Sequence, residues 1–232
     1  TEHREPRPAG LRRTVAETIA MTRAGLGAAR RSHNVRLLLG IALGVGMVMS
    51  TTEVLWPGRL DDLVGGDAAD AGPLFGLLTA ATMLTYAAGS VVSPRVGRTL
   101  GKRRAYGATF VVLAGALAAL AVAPNAVTFC LAHLAYFAML GVCDPLHFEV
   151  LHDAVDGSTR ATVVSAESLA SQAGGLGGNF GLVPLAGAAG IGVAWGVAAG
   201  VALVAAVLAA ATSPLRRGAT PPPRPAAPSG AA

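Results

Sequence analysis

The chain has 232 residues, of which 53% are hydrophobic and only 13% are charged, and its mean hydropathy is +0.55. Soluble domains usually carry about 25% charged residues, so this composition argues against a soluble globular protein. The formal net charge is +5. Because the basic residues flank apolar stretches and are not interleaved with aromatic side chains, anionic lipid headgroups are a better counter-charge for them than nucleic acid.

Six apolar segments follow one another along the chain, each close to the roughly 20 residues that a helix needs to cross a bilayer. Backbone groups in lipid must be satisfied within the segment, and no period-2 alternation is visible, so we expect six transmembrane helices. Pro57-Gly58 is expected to end the first span and Pro94 the second. The predicted spans are 36–56, 72–92, 106–123, 126–148, 161–186 and 191–212.

The distribution of basic residues predicts the orientation of these spans. Seventeen of the eighteen Lys and Arg residues lie before the first span, between the second and third, between the fourth and fifth, or after the sixth. Arg59 is the exception. Since positive charge stays in the cytoplasm during insertion, we predict a multi-pass protein of the cell inner membrane with both termini cytoplasmic.

The segments outside the spans differ in character. Residues 1–35 are predicted to be a basic cytoplasmic linker with an interfacial helix, because apolar residues such as Leu11, Val15 and Ile19 fall near one face among arginines. Residues 36–212 form the predicted bundle, and the Pro/Ala-rich residues 213–232 a disordered cytoplasmic tail. Because the sequence does not begin with Met and shows no cleavable signal peptide, we expect it to be a fragment or a processed form of the native chain.

Polar side chains are concentrated in spans one, two, four and five, whereas spans three and six are apolar. Ionisable groups are costly in lipid, so they usually face a bundle interior or a water-filled cavity. We therefore predict an all-α membrane protein built as two three-helix inverted repeats, with the third helix of each facing lipid. The residues predicted to line a cavity or bind substrate are Glu53, Tyr86, His133, Tyr136, Asp144, Gln172 and Asn179.

Span four carries the clearest polar stripe, because His133, Asp144 and His147 follow a spacing that places them on one helical face. The stripe could bind substrate or relay protons. Alternatively, His133 satisfies a neighbouring carbonyl and Asp144-Pro145 caps a local break.

Two carboxylates are candidates for proton coupling. At helical rise, Glu167 lies at a depth similar to that of Asp144, and two carboxylates in a poorly hydrated site favour retention of a proton. Alternatively, each pairs with Arg160 or with helix N-terminal amides.

Two glycine-rich stretches are predicted to serve helix packing. The segment 174–181 (GGLGGNFG) lies within a span, so close packing, bending or a hinge explains it better than phosphate binding. Gly192-x3-Gly196-x3-Gly200 is predicted to be a second packing face.

The sequence carries no sign of an enzyme. We find no paired nucleophile and base, no P-loop and no dinucleotide fingerprint, and the spacing of His147 and His152 is wrong for a zinc protease. We therefore expect no catalytic residues, no metal site and no cofactor.

Two short motifs and the six-span topology carry a family resemblance. Pro94-Arg-Val-Gly-Arg98 followed by Gly101-Lys-Arg-Arg is similar to the cytoplasmic signature between the second and third helices of each half of a major facilitator superfamily transporter. Ser90 and Pro94 replace that signature's usual Gly and Asp. Arg160-Ala-Thr-Val-Val-Ser165 resembles the start of the family's eleventh helix. The chain thus resembles the carboxy-terminal six-helix half of such a transporter.

This resemblance implies alternating access, by rocking against an amino-terminal six-helix half as partner. It implies that spans one and four line a central cavity, that two and five form lateral gates, and that Arg95, Gly97, Arg98 and Arg160 belong to a cytoplasmic gate. Proton-coupled efflux of small molecules is the activity it implies. The alternative is a stand-alone six-span scaffold or regulatory protein that acts through its basic amphipathic segment.

Overall fold

A computed structural model describes residues 32–65, 68–155 and 160–212, together with Ile19, Ala20 and Gly27. Apart from those three residues and residues 32–35, the predicted linker with its interfacial helix lies outside the described part of the chain. The predicted tail lies outside it entirely.

The described residues form helices and no strands. Helix α1 is His33–Val64, α2 is Ala68–Leu100, α3 is Lys102–Val122, α4 is Ala126–Ala154 and α6 is Ile191–Ala211. Between α4 and α6, helix α5 runs in three parts: an α-helical Arg160–Gly177, a π-helical turn Gly178–Leu182 and an α-helical Val183–Ala189. Five helices, all but α5, are long and apolar enough to cross a membrane. The fold is therefore all-α, and its apolar helices indicate a membrane-embedded protein.

Two predicted helix ends are wrong, because the helices continue through the prolines. Pro57 lies inside α1, which ends only at Gly65, where φ is 99° and the left-handed conformation suits glycine. Pro94 lies inside α2, which continues to Leu100. Proline removes one helical hydrogen bond, but in membrane helices neighbouring groups can satisfy the freed carbonyl. The residues that follow Pro57 up to Val64, and those that follow Pro94 up to Leu100, therefore form extra helical turns.

Two further details concern Pro145 of α4 and Arg59 of α1. Pro145 lies inside α4, so Asp144-Pro145 does not interrupt that helix. Arg59, the one basic residue predicted on the outer side, donates from its guanidinium to the carbonyl of Ala123 at 3.1 Å. It thereby satisfies a carbonyl that the end of α3 leaves without a helical partner.

Most of the main packing contacts join helices that are not consecutive in sequence. Helix α1 packs on α5 and α6, α2 packs on α4, and α3 lies between α4 and α6. The buried centre holds large side chains of α3, α4 and α6: Tyr106, Phe110, Leu117, Phe129, Tyr136 and Trp195. The exposed large hydrophobic residues of α3 and α6, such as Val112 and Val204, cover the other side of each helix.

Glycines set the two closest helix crossings. A Cβ atom on Gly174 would collide with the carbonyl of Leu43, and one on Gly46 with the carbonyl of Ser171, so α5 and α1 touch backbone to backbone. The prediction that 174–181 serves close packing is confirmed for Gly174 and Gly178, whereas Gly181 has no neighbour within 4 Å of an added Cβ. The π-helical turn begins at Gly178 within the same stretch.

The crossing of α2 and α4 is built in the same way. A Cβ atom on Gly141 would collide with the carbonyl of Tyr86, and one on Gly89 with the carbonyl of Ala138. Ser90 and Ser93 of α2 also donate hydrogen bonds to carbonyls of α4, at 3.1 and 2.8 Å.

The predicted glycine ridge of span six is wrong as a packing face. Around Gly196 and Gly200 no atom would lie within 4 Å of an added Cβ, and only Gly192 approaches a neighbour, the carbonyl of Ala121. The buried residues of α6 are instead mostly alanines: Ala194, Ala198, Ala199, Ala202, Ala205, Ala206 and Ala209. A methyl group allows close approach and still fills the interface.

Candidate functional site

A set of polar side chains meets around the second half of α4. We call it the α4 polar cluster, and it consists of Tyr86 from α2, Tyr106 from α3, Asp144 and His147 from α4, and Glu167 from α5. Four helices thus supply one group of hydrogen-bonded and ionisable side chains inside an apolar bundle.

His147 lies between two partners. Its Nδ1 is 2.5 Å from the hydroxyl of Tyr106, and its Nε2 is 3.5 Å from a carboxylate oxygen of Glu167. In a neutral imidazole one ring nitrogen accepts and the other donates. If the Tyr106 hydroxyl donates to Nδ1, the ring hydrogen stands on Nε2, which is 3.5 Å from Glu167 but makes no hydrogen bond within the described residues.

Asp144, which lies one helical turn before His147 on α4, has a different partner. The hydroxyl of Tyr86 donates to its Oδ2 at 2.5 Å. The hydrogen bond ties α2 to α4 close to the crossing where Gly141 lies against Tyr86. Asp144 is thus bonded by Tyr86 of α2, whereas Glu167 of α5 pairs with His147. Both contacts involve the same stretch of α4.

Burial makes these contacts chemically significant. The side chain of His147 is 10% exposed and that of Glu167 is 15% exposed. An isolated charge is costly in such a place, so ionisable groups there are paired or take up a proton. With two carboxyl groups and one imidazole, the cluster can hold different numbers of protons.

The two carboxylates predicted for proton coupling therefore both belong to the cluster. The partner of Glu167 is His147, not the alternative Arg160, whose side chain is exposed at the start of α5.

Three predicted cavity residues are exposed on α1 and α5. Glu53 is exposed on α1, and Gln172 and Asn179 are exposed on α5. Ser50 donates to the side-chain oxygen of Asn179 at 2.9 Å, which joins the two helices. We call Ser50, Glu53, Gln172 and Asn179 the α1–α5 polar face.

The remaining two predicted cavity residues are buried inside the bundle. His133 is 2% exposed and Tyr136 is fully buried. The ring of His133 packs against those of Trp56, Phe129 and Phe137, with centroids 4.9–6.0 Å away. The His133 Nδ1 and the Tyr136 hydroxyl are buried and make no hydrogen bond within the described residues.

The predicted gate residues lie around the end of α2 and the start of α5. Arg95, Arg98 and Arg160 are exposed, and Gly97 is buried against α4, where an added Cβ would come within 3.1 Å of Leu146.

Sequence reasoning missed an ion pair beside these residues. Lys102, the first residue of α3, is 3.2 Å from both Glu149 and Asp153 of α4. The separation of these residues in sequence gives no sign of the contact.

Tyr106 is the cluster member that the sequence did not single out. It is the only polar aromatic residue of an apolar span, and an isolated tyrosine at a span end usually suggests an interfacial anchor. His147 was on the predicted stripe of α4 but not among the predicted site residues. A buried tyrosine hydroxyl needs a hydrogen-bond partner. Asking which histidine could bond Tyr106 would have pointed to this contact.

Comparison with known proteins does not assign the chain to a family. Neither a protein-family model nor a curated protein matches its sequence. The resemblance to the major facilitator superfamily stays a prediction from motifs and topology.

Proposed function

We propose that the protein transports small organic molecules across the cell membrane by alternating access, with proton-coupled efflux as the direction and energy source. The observation that carries the proposal is the α4 polar cluster. Two carboxyl groups and an imidazole from α4 and α5, enclosed in an apolar bundle, are the arrangement expected of a proton-binding centre in a transporter. A scaffold that acts through a basic segment has no evident use for it.

The arrangement of helix contacts supports a repeat of three helices. Suppose that α1, α2 and α3 are exchanged with α4, α5 and α6, respectively. The α1–α5 crossing then becomes the α4–α2 crossing, and the α3–α6 contact is unchanged. The glycines follow the same exchange, since Gly46 and Gly174 correspond to Gly141 and Gly89. Six spans related in this way, with both termini cytoplasmic, suit the inverted repeats of secondary transporters.

The α1–α5 polar face supports a protein partner. Exposed Glu53, Gln172 and Asn179 are unsuited to lipid, because polar groups within membrane helices face protein or water. We propose that an amino-terminal six-helix half covers this face and that a central, water-accessible cavity for substrate lies between the halves. Arg95, Gly97, Arg98 and Arg160 would then belong to the cytoplasmic gate.

Transport by full-length native protein in proteoliposomes tests the proposal. The assay follows a panel of lipophilic fluorescent cations, driven by an imposed pH gradient. Asp144→Asn and Glu167→Gln are expected to abolish proton-driven flux while the protein still elutes as a folded species. Asp62→Asn, which removes an exposed carboxylate at the end of α1, is the matched control and should transport normally.

Two outcomes would contradict the proposal. Unchanged flux in both cluster variants would remove the coupling role of these carboxylates. Absence of flux for every compound, combined with loss of cellular function when Arg12, Arg13, Arg30 and Arg31 are neutralised, would favour the scaffold alternative.

A further inference from the structure

The α4 polar cluster bridges two helices that otherwise stay apart. Helices α4 and α5 do not pack against each other along their lengths: α4 packs on α2 and α3, and α5 packs on α1. The ion pair between His147 Nε2 and Glu167 Oε1 spans the gap at 3.5 Å. Tyr106 holds the other side of the imidazole and so fixes the ring in the direction of α5.

Helix α5 is built to bend beyond this bridge. Glu167 lies in the α-helical part Arg160–Gly177, and the π-helical turn Gly178–Leu182 follows. A π-helical turn breaks the regular ladder of hydrogen bonds and is a recognised place for helices to kink. Gly174 and Gly178 lie against the backbone of α1. Glu167 and Gly174 both lie before the π-helical turn, so the half of α5 that carries Glu167 moves relative to α4 together with the α1 backbone that Gly174 touches.

The charges around His147 determine what a proton does at this bridge. The titratable groups nearest to it are Tyr106 from α3, Glu167 from α5, and Cys143 and Asp144 on α4, with Tyr86 from α2 bonded to Asp144. Lys102 pairs instead with Glu149 and Asp153. Within the described part of the chain, no titratable residue of α1 forms a hydrogen bond or an ion pair with His147.

We infer that His147 is a proton-operated latch between α4 and α5. An added proton makes the ring an imidazolium, with Nδ1–H donating to the Tyr106 hydroxyl and Nε2–H donating to the Glu167 carboxylate. Its positive charge then attracts the Glu167 carboxylate and holds α5 against α4. When the proton leaves, two negative charges remain in a poorly hydrated place, and the Glu167 half of α5 moves away from α4.

This latch rests on the proposed function, since it assigns the step at which proton binding changes the shape of the transporter. Its consequence is physical and does not need a known substrate. The separation of α4 and α5 should depend on pH in the protein alone.

Spin-label distance measurements on the full-length protein in lipid nanodiscs test this. One label replaces exposed His152 on α4 and the other exposed Ser168 on α5, after Cys130 and Cys143 are changed to Ala. We expect a short separation at acidic pH and a growing population of longer separations as pH rises. His147→Gln, whose amide cannot titrate, should give a single pH-independent distribution.

His133→Gln is the matched control. His133 is also a buried histidine of α4, but its neighbours are aromatic rings, so the pH response should persist in that variant. If His147→Gln does not fold, Glu167→Gln replaces it. Loss of the carboxylate removes the attraction for the imidazolium, so the transition should move to lower pH.

A pH-independent separation in the parent protein would overturn the latch. So would a pH response that persists in His147→Gln, or a transition unmoved in Glu167→Gln. These results are separable from those on function. A pH-dependent separation of α4 and α5 without any flux would support the latch and contradict the transport proposal. Proton-coupled flux with a pH-independent separation would contradict the latch alone.

Discussion

Substitution of Gly174 by Ala tests the backbone contact between α1 and α5. The new Cβ would collide with the carbonyl of Leu43, and a backbone atom cannot rotate away as the end of a flexible side chain can. The matched control is Gly196→Ala in α6, where no atom lies within 4 Å of the added Cβ. Both positions are helical, so both variants gain the same helix propensity of about 1 kcal/mol.

The difference between the two variants therefore isolates the cost of overpacking. Extra methylenes in a well-packed interface cost about 1–3 kcal/mol. We expect the free energy of unfolding of Gly174→Ala to be lower than that of Gly196→Ala by about that amount. Titration with sodium dodecyl sulfate in mixed micelles, followed by far-ultraviolet circular dichroism, measures the difference.

The second glycine crossing extends this test. Gly141→Ala places its Cβ against the carbonyl of Tyr86 and should lose about as much stability as Gly174→Ala. Equal free energies of unfolding for Gly174→Ala and Gly196→Ala would refute the crossing of α1 and α5. A loss in Gly174→Ala without one in Gly141→Ala would refute the equivalence of the two crossings.

Three further predictions address the cluster, the ion pair and the length of the native chain. Tyr86→Phe removes the hydroxyl that bonds Asp144 and should lower the free energy of unfolding by about 1–3 kcal/mol in the same titration, since the carboxylate loses a partner; no loss would contradict the 2.5 Å contact. Lys102→Ala should cost less than about 1 kcal/mol, because the pair with Glu149 and Asp153 is exposed, and molar salt should remove the difference. The mass of the native protein, measured in its source membrane with an antibody against the tail, should be near twice 23.1 kDa if an amino-terminal half precedes this chain; a mass near 23.1 kDa would contradict that half.

The positions of the helices could be predicted from the sequence because a bilayer imposes a length of apolar residues that is easy to recognise. The predicted spans fall on the helices α1 to α6. The helix ends next to proline could not be predicted in the same way. Whether a helix stops at Pro57 or Pro94 depends on whether neighbouring groups can satisfy the freed carbonyls, and that is settled by packing.

The candidate site was only partly predictable for a related reason. Depth along a helix follows from residue number, so we could predict that Asp144 and Glu167 lie at a similar depth. Their actual partners depend on which helices are neighbours. Tyr106 meets His147 only because α3 packs on α4, and Lys102 meets Glu149 for the same reason. The sequence carries no local signal for either contact.

The accessibility of one residue from both sides of the membrane tests the central claim of alternating access most directly. Gln172 is exposed on α5, roughly 18 Å from Arg160 at about 1.5 Å per residue; the proposed six-span topology would place it near the middle of a membrane core about 30 Å thick. In the full-length protein without Cys130 and Cys143, Gln172→Cys should react with a membrane-impermeant thiol reagent added to either side. Reaction from one side only, or from neither, would contradict transport by alternating access.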